Sequence, residues 1–244
     1  MSRTGELVRT GVRGLGQTLI TVGVVVLLFV FYELQVTGLV TAREQGKLTE
    51  ALESRWADPA PAPGPGAPGP GASGPGAPVA APAPVELGQG LAVMRIPRLG
   101  EGWNDSPPVV VEGVSVEDLK KGPGHMPGTA LPGEVGNVVL SGHRTTYGAP
   151  FNGFGELQPG DAVVVETRDT WFTYRITGSE IVAPDAIEVT YPVPGEPDAT
   201  PTRKLLTMTT CHPKYSAQQR LIVSAELERS DPKSGGSPPA LQEV

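Results

Sequence analysis

The only cysteine in the chain is Cys211, in the run "LLTMTTCHPKYSAQQRL" from Leu205 to Leu221. A single cysteine forms no intramolecular disulfide, so it is either a small buried hydrophobe or a thiol kept for chemistry. As a thiolate it attacks carbonyl carbon readily once a base or a nearby cation favours that form. Three histidines are available to carry the proton: His125, His143 and His212. His212 adjoins the thiol in sequence, but neighbouring side chains on a strand point to opposite faces. It therefore reads as the residue that opens the turn "HPKYSAQ". His125 lies in the turn-rich "GPGHMPGTALPG" and reads as a residue that shapes a loop. His143 ends the apolar run "NVVLSGH", and a strand end is where a rigid sheet presents a side chain to a cleft. Arg220 follows "HPKYSAQQ", a loop short enough for an antiparallel strand to return beside the cysteine. A guanidinium there would stabilise both the thiolate and the oxyanion formed when it attacks an amide.

Other chemistries fit less well. One Cys and three scattered His have no metal-ligand spacing. The acidic stretch "APDAIEVTYPVPGEPDA" holds Asp185, Glu188, Glu196 and Asp198 without the spacing of an EF-hand, and reads as a solvated loop. A net charge of −7, with no basic run after residue 13, argues against nucleic acid as a partner.

Several elements must position these residues. Glycine (32) and proline (27) make up about a quarter of the 244 residues, so the foldable part is shorter than the chain. Residues 1–13 carry Arg3, Arg9 and Arg13, and the following 14–32 hold no charge. Nineteen helical residues span roughly 28 Å, close to the hydrocarbon core of a bilayer. This predicts a retained transmembrane helix over 14–36, with the arginines, and hence the N-terminus, in the cytoplasm. Residues 37–56 are expected to continue as an amphipathic stalk, with Leu48, Leu52 and Trp56 on one face. The low-complexity segment 57–84 contains ten prolines and reads as an extended spacer holding a domain away from the membrane.

The globular part is placed at 85–229. Strands are expected at 91–97, 108–113, 137–143, 162–168, 171–182, 204–210 and 220–227, separated by Pro/Gly turns. That pattern is all-β, either barrel or sandwich. One short helix is expected in "SVEDLKKGPG", capped by Ser115 and Asp118 and stopped by Gly122. Residues 230–244 read as a disordered tail.

With His143, Cys211 and Arg220 in that order on a β-rich domain, the chain resembles the sortases, membrane-anchored cysteine transpeptidases of Gram-positive bacteria. Their T-L-x-T-C signature reads here Thr207-Met208-Thr209-Thr210-Cys211, with Met replacing Leu, a nearly volume-conserving change. The stretch "GPGHMPGTALPGEVGNVVLSGHRTTYGAPF" is similar to the class E sortases of actinobacteria. The resemblance implies an eight-stranded β-barrel with short helices, Cys211 as nucleophile and His143 as acid and base. It further implies Arg220 beside the oxyanion, Thr210 lining the site and Tyr147 at the substrate groove. The implied partners are secreted proteins bearing an L-P-x-T-G-like or L-A-x-T-G-like sorting signal and an amine of a peptidoglycan precursor. No cofactor is implied, because the thiol supplies the nucleophile. Two other cysteine chemistries fail on pattern. The S-H-G-C-x-R run of L,D-transpeptidases is absent, and papain-like peptidases place Cys before His.

Overall fold

A computed structural model describes residues 3–58 and 83–242. Eight strands close into a barrel: β1 (Gly90–Arg95), β2 (Val109–Glu112), β3 (Gly124–His125), β4 (Gly136–Ser141), β5 (Ala162–Glu166), β6 (Thr170–Val182), β7 (Lys204–His212) and β8 (Gln219–Pro232). Around the wall they run β1-β2-β3-β4-β7-β8-β6-β5, and β5 pairs back onto β1. The barrel is thus all-β, and closure leaves no open sheet edge. Alternate side chains fill the interior. Met94, Ile96, Leu140, Phe172, Tyr174, Leu206, Met208 and Val223 are buried there with the stacked pair Phe151 and Phe154.

Seven of the eight strands lie where alternation and turn signals expect them. The eighth, β3, falls in the stretch read as a loop around His125. It pairs parallel with β2 and antiparallel with β4, and so carries the barrel wall between them. Two residues have no periodicity to reveal a strand. Gly124 is required here, because a Cβ would sit 2.1 Å from the Gly113 carbonyl oxygen. His125 is accordingly not a loop residue: it is 1% exposed, with Nδ1 2.7 Å from the Glu112 carboxylate and Nε2 3.0 Å from the Ala130 carbonyl. The expected short helix is one turn, Val116–Leu119, closed by the capping box of Ser115 and Asp118.

The N-terminal helix α1 (Arg3–Phe31) runs through a π-helical turn, Tyr32–Val36, into α2 (Thr37–Ala57). Within α1, Arg9–Phe31 is long and apolar enough to cross a membrane. Contrary to the expectation of a free stalk, α2 lies on the barrel. Leu52 is 1% exposed and packs on Val93 and Val109 from the outer wall of β1 and β2, with Leu48 and Trp56 beside it. The Gln45 side chain accepts from Val109 N at 2.7 Å and donates to the Lys121 carbonyl at 2.7 Å. Thr41 donates to the Lys120 carbonyl, and Arg55 to the Gly90 carbonyl. The apolar stripe thus finds its cover on the barrel itself. Arg55 also reaches the Gln89 side chain, so the last turns of α2 are held to the start of β1. The segment 59–82, expected as a spacer, lies outside the described residues.

The C-terminal segment also differs from expectation. Residues 230–232 finish β8, and Ala240 is buried with Leu241 against Ala162, Val164 and Trp171. Lys233 bonds Glu166 at 2.7 Å and sits 4.5 Å from the Trp56 ring, tying the tail to the last turn of α2. A polar composition concealed these few buried contacts.

Leu52→Ala is expected to cost about 2–4 kcal/mol, while Leu39→Ala, at a position 65% exposed, should stay within about 0.5 kcal/mol. Denaturant unfolding of the two variants checks this. A free stalk would leave both neutral.

Candidate active site

Two ladders bring the site together. Strands β4 and β7 are parallel, with Val139 opposite Thr207 and Ser141 opposite Thr209. Gly142 N continues the ladder to the Thr209 carbonyl at 3.1 Å. His143 follows two residues after Ser141, past the end of β4, and Cys211 two residues after Thr209 on β7. On the other side β7 and β8 are antiparallel, and Cys211 lies directly opposite Arg220. Cys211 and Arg220 are thus cross-strand partners, and His143 follows the end of the strand on the other side of β7.

Alternation decides which way they face. Val138 and Leu140 on β4, Leu206 and Met208 on β7, and Leu221 and Val223 on β8 belong to the core. Residues of the opposite parity, His143, Cys211 and Arg220 among them, belong to the outer wall. His212 shares the inward parity of Met208, away from Cys211, and its buried Nδ1 has no hydrogen-bond partner among the described residues. Thr210 is buried too, and its hydroxyl donates to the Gly142 carbonyl at 2.8 Å. Rather than facing a cleft, that hydroxyl pins β7 to the strand end that carries His143.

Cys211 is a free, half-buried thiol. Burial holds the His143 imidazole below its ordinary value, so the neutral ring is favoured. The Tyr147 ring packs on it, centroids 4.8 Å apart and tilted 41°. Tyr147 stands in the left-handed region with φ 51°, followed by Gly148 at 73° and Ala149 at 47°. Two consecutive-but-one non-glycine residues in that region store strain, and the surroundings hold it. Phe151 N donates to the His143 carbonyl and Trp103 Nε1 to the Pro150 carbonyl. A cleft of about 660 Å³ between α2 and the barrel reaches this loop at Tyr147 and Gly148, and Trp56 and Trp103 line its walls. The Arg220 guanidinium donates from Nη1 to the carbonyls of Ala217 and Gln219, within its own loop.

One residue of the site was not singled out from sequence. Arg144 is 6% exposed, with Nε donating to the Asn152 carbonyl at 3.0 Å and Nη1 to the Cys211 carbonyl at 3.4 Å. The only sequence signal is its place directly after His143. Elsewhere, the acidic loop lies over the outer wall of β4, where Asn137 donates to the Val189 and Tyr191 carbonyls. Among the described residues no three His, Cys, Asp or Glu side chains converge as a metal site would require.

A barrel that pairs a lone thiol with an arginine across two strands, with a histidine at the end of the neighbouring strand, has the residue types of a cysteine acyl-transfer enzyme. The sortase domain model matches residues 94–228, more than half the chain. The chain belongs to the sortase family of transpeptidases. It is 32% identical to sortase SrtE1 of Streptomyces coelicolor over 94% of this chain and 60% of that protein. Against sortase SrtE2 of the same organism it is 31% identical, over 97% of this chain and 90% of the relative. The structure of sortase E from Streptomyces avermitilis shares 44% identity and a TM-score of 0.58, covering 64% of this chain and 99% of that one.

The low value at His143 has a consequence for stability. The unfolded chain holds the His143 proton more readily than the folded one, so stability is lost as pH falls below about 6.5. The loss is complete once pH is below the folded value. Thermal melts between neutral pH and pH 5 should show wild type losing stability that His143→Gln retains.

Proposed function

We propose that the protein is a membrane-anchored cysteine transpeptidase that cleaves an L-P-x-T-G-like or L-A-x-T-G-like sorting signal between Thr and Gly. The pairing of Cys211 with Arg220 across β7 and β8, with His143 just past the end of the adjacent β4, carries this reading. Neutral His143 takes the Cys211 proton as sulfur attacks the threonine carbonyl. The C–N bond breaks, His143 passes that proton to the departing glycine amine, and a thioester remains. An amine of a peptidoglycan precursor then attacks the thioester. His143 takes its proton and returns it to sulfur, and a new amide links the substrate to the wall. Arg220 supports the oxyanion of both steps once substrate draws it from its loop carbonyls. Tyr147, stacked on His143, forms a wall of the substrate groove, and Thr210 keeps the two strands in register.

The helix Arg9–Phe31 serves as the anchor, with the arginines before and at its start on the cytoplasmic side. The barrel then works outside the cell, facing the wall. Its α2 contacts support a fixed position at the membrane rather than a tether.

The test is single-turnover cleavage of a sorting-signal peptide with an added primary amine. Wild type is expected to form a thioester and then the amide, and Cys211→Ala neither. A wild-type protein that forms no adduct overturns the reading. His143→Ala should lower the rate by about 10²–10⁴-fold, against less than about threefold for His212→Ala. Arg220→Lys keeps the charge but not the fork, and is expected to lose roughly 100-fold in rate.

A further inference from the structure

We propose that Arg144 is a positioning residue of the catalytic centre: its buried guanidinium clamps the His143 strand end to Cys211 and supplies a second fixed positive charge beside the nucleophile. This deepens the transpeptidase reading and rests on it.

Arginine is almost never this deeply buried unless its charge is paired. Arg95, Arg175, Arg203 and Arg229 each meet a carboxylate. Among the described residues Arg144 makes no such ion pair. Its partners are the main-chain carbonyls of Asn152 and Cys211, and Asn152 Nδ2 donates back to the Arg144 carbonyl at 3.1 Å. The segment opposite is shaped to admit it: a Cβ on Gly155 would stand 2.9 Å from Arg144 Nη2.

A buried guanidinium without a carboxylate carries a desolvation cost that a nearby anion offsets. Burial lowers the Arg144 value, and the negative groups that oppose the fall are Cys211 first and Glu156 second. The Nη1 contact with the Cys211 carbonyl sets the guanidinium against the residue that carries the nucleophile, so negative charge formed there during attack lies near it. Arg220, by contrast, spends its Nη1 donors on Ala217 and Gln219. Arg144 is held in place before substrate arrives, which is the condition under which a charge stabilises a transition state without reorganising.

Because Cys211 is the only cysteine, alkylation reports on it alone. The experiment uses the full chain with Arg144→Gln and Arg144→Lys, and compares anionic iodoacetate with neutral iodoacetamide. A fixed cation favours the anionic reagent. Arg144→Gln is expected to lower the iodoacetate-to-iodoacetamide rate ratio about threefold or more, while Arg144→Lys retains it. On a sorting-signal peptide, kcat for Arg144→Gln should fall by about 10–100-fold with KM nearly unchanged. A folded Arg144→Gln protein with an unchanged reagent ratio overturns the proposal, even if kcat falls, since a clamp alone would do that. Should Arg144→Gln not fold, Arg144→Lys decides. A retained ratio supports the charge role, and a collapsed one overturns it. The alkylation arm needs no sorting signal, so it stands apart from any failure of wild type to cleave the peptide.

Discussion

The backbone ladder between β4 and β7 is the constraint on which the site depends. Its hydrogen bonds set Ser141 opposite Thr209, which fixes Cys211 on β7 and the point from which the chain leaves β4 towards His143. A slip of one residue would turn every inward side chain outward and separate the imidazole from the thiol. Register is secured from both faces. Leu140, Leu206 and Met208 pack inside, and outside Asn137 is tied to the loop over β4. Near the reacting groups, the Thr210 hydroxyl on Gly142 adds a cross-strand bond where the main-chain ladder is running out.

Past the end of β4 the backbone needs other means of support. The chain turns through Tyr147, Gly148 and Ala149 in the left-handed region, and Phe151 closes the turn onto the His143 carbonyl. Arg144 enters the interior at the start of that turn, and Tyr147 returns over the imidazole at its tip. The strain of the turn is thus set against a guanidinium clamp, an aromatic contact and the buried Phe151–Phe154 pair. On its far side the loop meets α2, where a Cβ on Gly148 would be 3.3 Å from Thr41.

That close approach sets the loop after His143 against the helix that continues from the long apolar helix α1. Leu52, Gln45 and Arg55 hold α2 to β1 and β2, and Lys233 links its last turn to Trp171 and Glu166. Barrel, helix and C-terminal segment therefore form one packed unit around the cleft.

Sequence by itself picked out a candidate nucleophile, a candidate base and a candidate cation. A lone cysteine, a histidine at the end of an apolar strand and an arginine on the returning strand are local signals. So are the seven longer strands, the capping box at Ser115 and the charge-free helix, because period and turn chemistry act over a few residues. Only the tertiary structure decided that the strand leading to His143 pairs with the strand of Cys211, through a ladder between residues 68 apart in sequence. It also decided what covers each apolar face. The stripe on α2 is legible in sequence, but Val93 and Val109 as its cover are not. A strand of two residues, a tail with one buried alanine and an arginine that turns inward leave no periodic trace. Each owes its place to neighbours distant in the chain.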